Sequence, residues 1–122
     1  SYRLTVLISM ITLYGINNCD TIKRARCWLD NHNIDYNFHD FRVDGLDPLL
    51  LESWVRELGW ETLVNRRSTT WRALTENEKS SMDEQSAVQT MLAQPTLIKR
   101  PVLVTQENVM VGFSEKNYSE NL

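Results

Sequence analysis

Hydrophobic and polar positions along this chain change period several times, and each change suggests an element. The run from Met10 to Tyr14 is short and mostly apolar, and reads as a buried strand. Thr21 to Leu29 follows the period of an amphipathic helix, and Asn31 to Asn33 breaks it. Tyr36, Phe38 and Phe41 mark a second strand within Ile34 to Arg42, and Asp44-Gly45 forms a turn. Asp47-Pro48 places an N-cap before a proline at the first helical position. Leu51, Trp54, Val55 and Leu58 then recur at i, i+3, i+4 and i+7, and Gly59 ends that helix. Trp60 to Leu74 has no clear period. Thr75 to Glu78 and Ser81 to Glu84 both fit a capping box. The second box predicts a helix with Val88, Met91 and Leu92 on one face, ending before Pro95. Val102 to Val104 and Val109 to Val111 read as strands about a turn at Asn108, and Gly112 precedes a short helix from about Ser114.

The predicted order is β-α-β-α-loop-α-α-β-β-α. A βαβ start and a ββα finish around a helical middle predict an α/β protein: a thioredoxin-like mixed sheet with a helical insertion at about residues 46–94. Residues 10–122 read as one domain, without repeats. Residues 1–9 read as an N-terminal extension or a remnant of cloning, although the β-prone positions 4–8 leave ordered edge structure open.

Composition changes this picture little. The chain has 122 residues, 42% of them apolar and 24% charged, with a formal net charge of −3. That balance carries no basic signature for nucleic acid or for an anionic membrane surface. Nor does any apolar stretch approach the ~18 residues of a membrane span. Cys19 and Cys27 stand about two helical turns apart on the predicted first helix, too far to bridge. Two unpaired thiols suggest a reducing, cytoplasmic setting. No Cys/His spacing suits a metal, so no metal ligands are assigned.

Cys19 carries the chemistry. It lies between the first strand and the first helix, where free backbone N–H groups and the helix macrodipole favour the thiolate. An ordinary thiol has a pKa near 8.5, and helix N-termini lower it to roughly 3.5–7.5. Lys23 lies one turn on and leans back toward the sulfur, whereas Asp20 opposes ionisation. Position alone leaves open a cysteine that only fills space. His32 and His39 lack a partner cysteine or carboxylate cluster and read as structural or exposed. The four tryptophans read as packing residues, with Trp71, beside Thr69 and Thr70, the best candidate for another role.

Three segments, Leu13-Tyr-Gly-Ile-Asn-Asn-Cys-Asp-Thr-Ile-Lys23, Asn65-Arg-Arg-Ser-Thr-Thr-Trp71 and Leu97-Ile-Lys-Arg-Pro-Val102, resemble the ArsC/Spx family, and within it the YffB subgroup. The likeness runs from about Met10 to Tyr118. It implies a thioredoxin-like fold with an inserted helical subdomain, a nucleophilic cysteine at Cys19, and an Arg-Pro motif at Arg100 and Pro101 with a cis peptide between them. It implies anion-binding roles for Arg100 and Arg66, with Asn65 or Arg67 as alternative registers for the latter. The chain departs from the arsenate reductases of the family at Gly15, where they carry a histidine, and near Gly112, where they carry a third arginine. It departs from the Cys-x-x-Cys switch of Spx-type regulators at Ile22.

The resemblance therefore implies a glutathione-dependent thiol oxidoreductase with one nucleophilic cysteine. Glutathione is expected as co-substrate rather than as a bound cofactor, with Lys23, Arg66, Arg100 and Pro101 around it. The substrate is expected to be a small disulfide, an oxyanion or a protein disulfide. Two alternatives stand beside this: a glutathione- or glutaredoxin-dependent arsenate reductase, and a non-enzymatic regulator that binds RNA polymerase.

Overall fold

The structure is a computed structural model and describes residues 11–17 and 19–122. The expectations for residues 1–9 and for a strand start at Met10 fall outside the described residues. The elements are β1 (Thr12–Gly15), α1 (Asp20–Asn31), β2 (Asn37–Asp40), α2 (Pro48–Leu58), α3 (Trp60–Leu63), α4 (Thr69–Ala73), α5 (Glu76–Ser80), α6 (Glu84–Ala93), a 3₁₀ turn (Pro95–Leu97), β3 (Val102–Val104), β4 (Val109–Val111) and α7 (Glu115–Asn121). They form two compact units. One joins the described residues up to Asp44 with Arg100–Leu122; the other is Gly45–Lys99.

The first unit is a mixed four-stranded sheet in the order β2-β1-β3-β4. β1 and β2 are parallel, with Leu13 beside Phe38, and a parallel pair needs a long crossover, which contains α1. β3 pairs antiparallel with β1 and with β4, placing Leu103 between Leu13 and Met110. Strand side chains alternate between faces, so Leu13 and Leu103 point to one side and meet the buried stripe of α1, namely Ala25, Trp28 and Leu29, together with Tyr118 of α7. Tyr118 meets Trp28 and Phe113 edge-on at 5.4 and 5.0 Å between centroids, an arrangement the aromatic quadrupole favours. This is the thioredoxin-like α/β arrangement expected from the order of elements.

The second unit is helical. α2 begins as predicted: the Asp47 carboxylate accepts from the Leu49 amide at 3.0 Å, and Pro48 occupies the first turn. Leu51, Trp54 and Val55 are its buried face. The unreadable segment after Gly59 folds into α3 and α4. Helices of four and five residues are too short to show a period. α4 is set by the Ser68 hydroxyl, which accepts from the Trp71 amide at 3.1 Å. Thr75 and Glu78 form the expected reciprocal box. The box expected at Ser81 to Glu84 lies two residues later. Asp83 caps α6 by accepting from the Ser86 amide, and the Ser86 hydroxyl accepts in return from the Asp83 amide, both at 2.9 Å. Ser81 instead closes α5, its hydroxyl donating to the Asn77 carbonyl at 2.6 Å. Both residues are good caps, so the short α5 ending at Ser80 decides between them.

Candidate functional site

Cys19 is the N-cap of α1, with extended backbone angles of φ −106° and ψ 131°. Its carbonyl accepts the first helical bond from the Lys23 amide at 3.0 Å, while the half-buried thiol closes no side-chain cap bond. The sulfur therefore faces a helix end whose first amides are without helical acceptors. Burial pushes the thiol pKa up. The amides of Ile22 and Thr21, and then the charge and hydrogen bonding of the Arg100 guanidinium, outweigh burial and hold it below the ordinary value.

Arg100 reaches the thiol from just before β3, on the far side of β1 in the chain but in the same unit. Its Nε is buried and has no hydrogen-bond partner among the described residues. The Arg100–Pro101 peptide is cis, and the buried Pro101 accepts from the Gly112 amide at 2.8 Å. Lys23 shares this unit; its side chain is exposed, and its amide donates to the Cys19 carbonyl. Arg100 is a cation that acts on the thiol.

Arg66 belongs to the second unit. It is exposed, with its guanidinium 5.6 Å from the centre of the Trp71 ring, which also carries Lys79 at 5.7 Å. Trp71 is thus a shared cation platform. Asn65, Arg66, Arg67 and Lys99 border a cavity of about 360 Å³ in that unit. Cys27 is exposed on α1, with Asn31 Nδ2 3.6 Å from its sulfur. His32 stacks on Trp28 at 3.8 Å, with its Nδ1 2.8 Å from the Trp28 carbonyl, and His39 packs near Tyr14 and Phe41.

Two of the departures noted in sequence touch each other. A Cβ at Gly15 would overlap Ile22 Cδ1 and lie 3.1 Å from Cγ1. Ile22 is 1% exposed and fills the space beside the strand, so a side chain at 15 and isoleucine at 22 compete for one volume. At Gly112, φ is +80°, a left-handed conformation that disfavours any side chain there, arginine included.

One residue escaped the sequence reading. Asp40, at the end of β2, is 7% exposed and accepts from the Asn17 amide at 3.0 Å through Oδ2. An aspartate closing a strand beside Phe38 was the available signal, but nothing local pairs it with a residue so far away in the chain.

A thiol at a helix N-terminus beside the loop before β3, on a mixed four-stranded sheet, defines a thioredoxin-like thiol protein. The sequence pattern of the ArsC family matches residues 14–121, and the chain belongs to that family. The structure of a YffB protein is 47% identical, with a TM-score of 0.87 over 92% of this chain and 98% of its own. An arsenate reductase (ArsC) related protein from Brucella melitensis is 48% identical, with a TM-score of 0.76 over 91% of this chain and 92% of its own. The global transcriptional regulator Spx of Listeria innocua is 27% identical over 87% of this chain and 82% of its own length. Among the described residues no helix is long and apolar enough to cross a membrane, and no cluster of His, Cys, Asp and Glu could hold a metal ion.

Proposed function

We propose that this chain is a thiol–disulfide oxidoreductase with Cys19 as its one nucleophile and glutathione as its co-substrate. The observation that carries the reading is the Cys19 thiol at the α1 N-cap, its pKa held down by the Ile22 and Thr21 amides and by Arg100. The unpartnered Arg100 Nε supports an anionic substrate, since a guanidinium pairs readily with a carboxylate.

The chemistry is two thiol–disulfide exchanges. The Cys19 thiolate attacks the glutathione sulfur of a mixed disulfide. A new S–S bond joins Cys19 to glutathione, and the substrate leaves as its thiolate. A second glutathione thiolate then attacks that sulfur, releasing oxidised glutathione and regenerating Cys19. Across both steps, the mixed disulfide and one glutathione become the substrate thiol and oxidised glutathione, one half of which came from the mixed disulfide. Ile22 occupies the position where a second thiol would resolve the intermediate, and Cys27 is exposed further along α1, so resolution comes from solution. Such exchange suits a reducing compartment such as the cytoplasm. The test is reduction of a glutathionylated peptide by glutathione. Cys19→Ser abolishes it and Cys27→Ser does not; equal loss in both variants refutes the one-cysteine mechanism.

The name of the 48% identical Brucella melitensis relative favours a second reading, reduction of arsenate at the same thiol. Gly15 and Gly112 argue against it, because neither contributes a side chain to an oxyanion. Arsenate turnover above a Cys19→Ala control decides it. The Spx likeness supports a third reading, a regulator that binds RNA polymerase, and recovery of polymerase on the immobilised protein tests it.

A further inference from the structure

Four residues, 16 to 19, connect β1 to α1, and the thiolate reading above depends on where they place the sulfur. Stabilisation by two amides and a guanidinium falls off steeply with distance, so a small drift of this connection weakens all three contacts together. Hydrogen bonds tie its start, from the last residue of β1 onward, to the end of β2. The Phe41 amide donates to the Gly15 carbonyl at 2.9 Å, and the Asn17 amide donates to Asp40 Oδ2 at 3.0 Å.

Asp40 is built for this second tie. Its Oδ1 accepts from the Arg42 amide at 2.8 Å, its own amide donates to Asp44 Oδ2 at 3.1 Å, and its carbonyl accepts from the Val43 and Asp44 amides at 3.1 and 2.8 Å. The turn after β2 therefore holds one carboxylate oxygen and the residue's backbone, while the other oxygen faces the cysteine connection. Burial pushes the Asp40 carboxyl pKa up, but the Asn17, Arg42 and Val43 amides and the Arg42 charge more than reverse this. The group is ionised at neutral pH, with both oxygens available as acceptors. A buried carboxylate with an oxygen on each side is a rigid bracket between the turn and the connection.

We propose that Asp40 is a positioning residue for Cys19: its carboxylate holds the Asn17 backbone and thereby sets the sulfur against the first amides of α1 and Arg100. The inference rests on the thiolate reading and deepens it, because it names a group outside the site that controls the nucleophile's reactivity.

The experiment is iodoacetamide alkylation of the full chain across pH 5–9, with the rates at Cys19 and Cys27 read separately by mass spectrometry of tryptic peptides. Cys27 is the internal reference for any general loosening. Asp40→Asn keeps the size of the side chain but turns an NH₂ group toward one of two N–H donors. Its expected effect is a rise of about half to one unit in the Cys19 midpoint, or roughly three- to tenfold slower alkylation well below the midpoint, with the Cys27 profile unmoved. A lowered Cys19 midpoint that is the same in both proteins overturns the role of Asp40 and leaves the thiolate reading standing. A Cys19 midpoint in the unmutated protein no lower than that of Cys27 overturns both. Should the Asn variant lose its far-ultraviolet circular dichroism, the same profile is read on Asn17→Pro. That change removes the donor and leaves the carboxylate's bonds to the turn, and the same outcomes decide.

Discussion

Replacing Gly15 by alanine forces β1 and the first turn of α1 to compete for one volume. Gly15 does not have positive φ, so alanine meets no backbone penalty there, and the conflict is one of packing. The new Cβ overlaps Ile22 Cδ1 and sits 3.1 Å from Cγ1, whereas Phe38 Cε1, at 4.0 Å, is in ordinary contact. Ile22 is 1% exposed, so its terminal methyl has little room to withdraw. Overpacking of this kind costs about 1–3 kcal/mol. The lower entropy of an unfolded chain with alanine offsets about 0.4–1 kcal/mol. A net destabilisation between about 0 and 2.6 kcal/mol follows from these two terms, centred at ~1.3 kcal/mol. Ile22→Val removes the overlapping atom and costs about 0.5–1.5 kcal/mol alone. In the double variant the alanine methyl fills that space, so the loss should fall short of the sum by about 1 kcal/mol or more. Urea denaturation of the parent, both single variants and the double variant measures the coupling. Additivity within about 0.5 kcal/mol refutes the reasoning.

Three further outcomes follow from the same contacts. Arg100→Gln removes a charge and a hydrogen bond from the thiolate, so Cys19 alkylation should shift to higher pH and slow by roughly threefold or more at neutral pH; an unmoved profile refutes a role for Arg100. In a Cys27→Ser background, the stability of the protein relative to its Cys19→Ser variant should rise with pH. A depressed folded pKa means that the unfolded thiol binds more protons between that value and the ordinary one, so the contribution is complete above the ordinary pKa and lost as pH falls through the folded one. Denaturation midpoints at several pH values measure it, and a flat or falling difference contradicts it. The Tyr118 hydroxyl is buried with no protein partner among the described residues, and burial pushes its pKa far up. Tyr118→Phe should therefore cost less than about 0.5 kcal/mol or stabilise, rather than cost the ~1–3 kcal/mol seen when a buried partner is orphaned; a larger loss by thermal melting reveals a bond to that hydroxyl.

Features set by neighbouring residues were legible in the amino-acid order. The Asp47-Pro48 start of α2, the reciprocal pair of Thr75 and Glu78, and the buried stripe Leu51, Trp54 and Val55 rest on hydrogen bonds and periods spanning a few positions. Cys19 stood out for the same reason, since a strand, a loop and a helix around it are local facts. The cap of α6 was misplaced by two residues because Ser81 and Asp83 are both competent and only the extent of α5 separates them. α3 and α4 stayed hidden because so few residues show no period.

The amino-acid order by itself determined the order of the strands and the longer helices, the caps that start several helices, the candidate nucleophile and, through three motifs, the family. Tertiary structure decided what surrounds Cys19. Lys23, a helical neighbour, has its side chain in solvent, while Arg100 reaches the sulfur because β3 pairs beside β1. Asp40 holds Asn17 because β2 runs parallel to β1 and ends level with the cysteine connection. A hydrogen bond or a charge acts over a few ångströms of space. Local order places groups that close only within a turn or two of helix, and beyond that the pairing of the strands determines which groups meet.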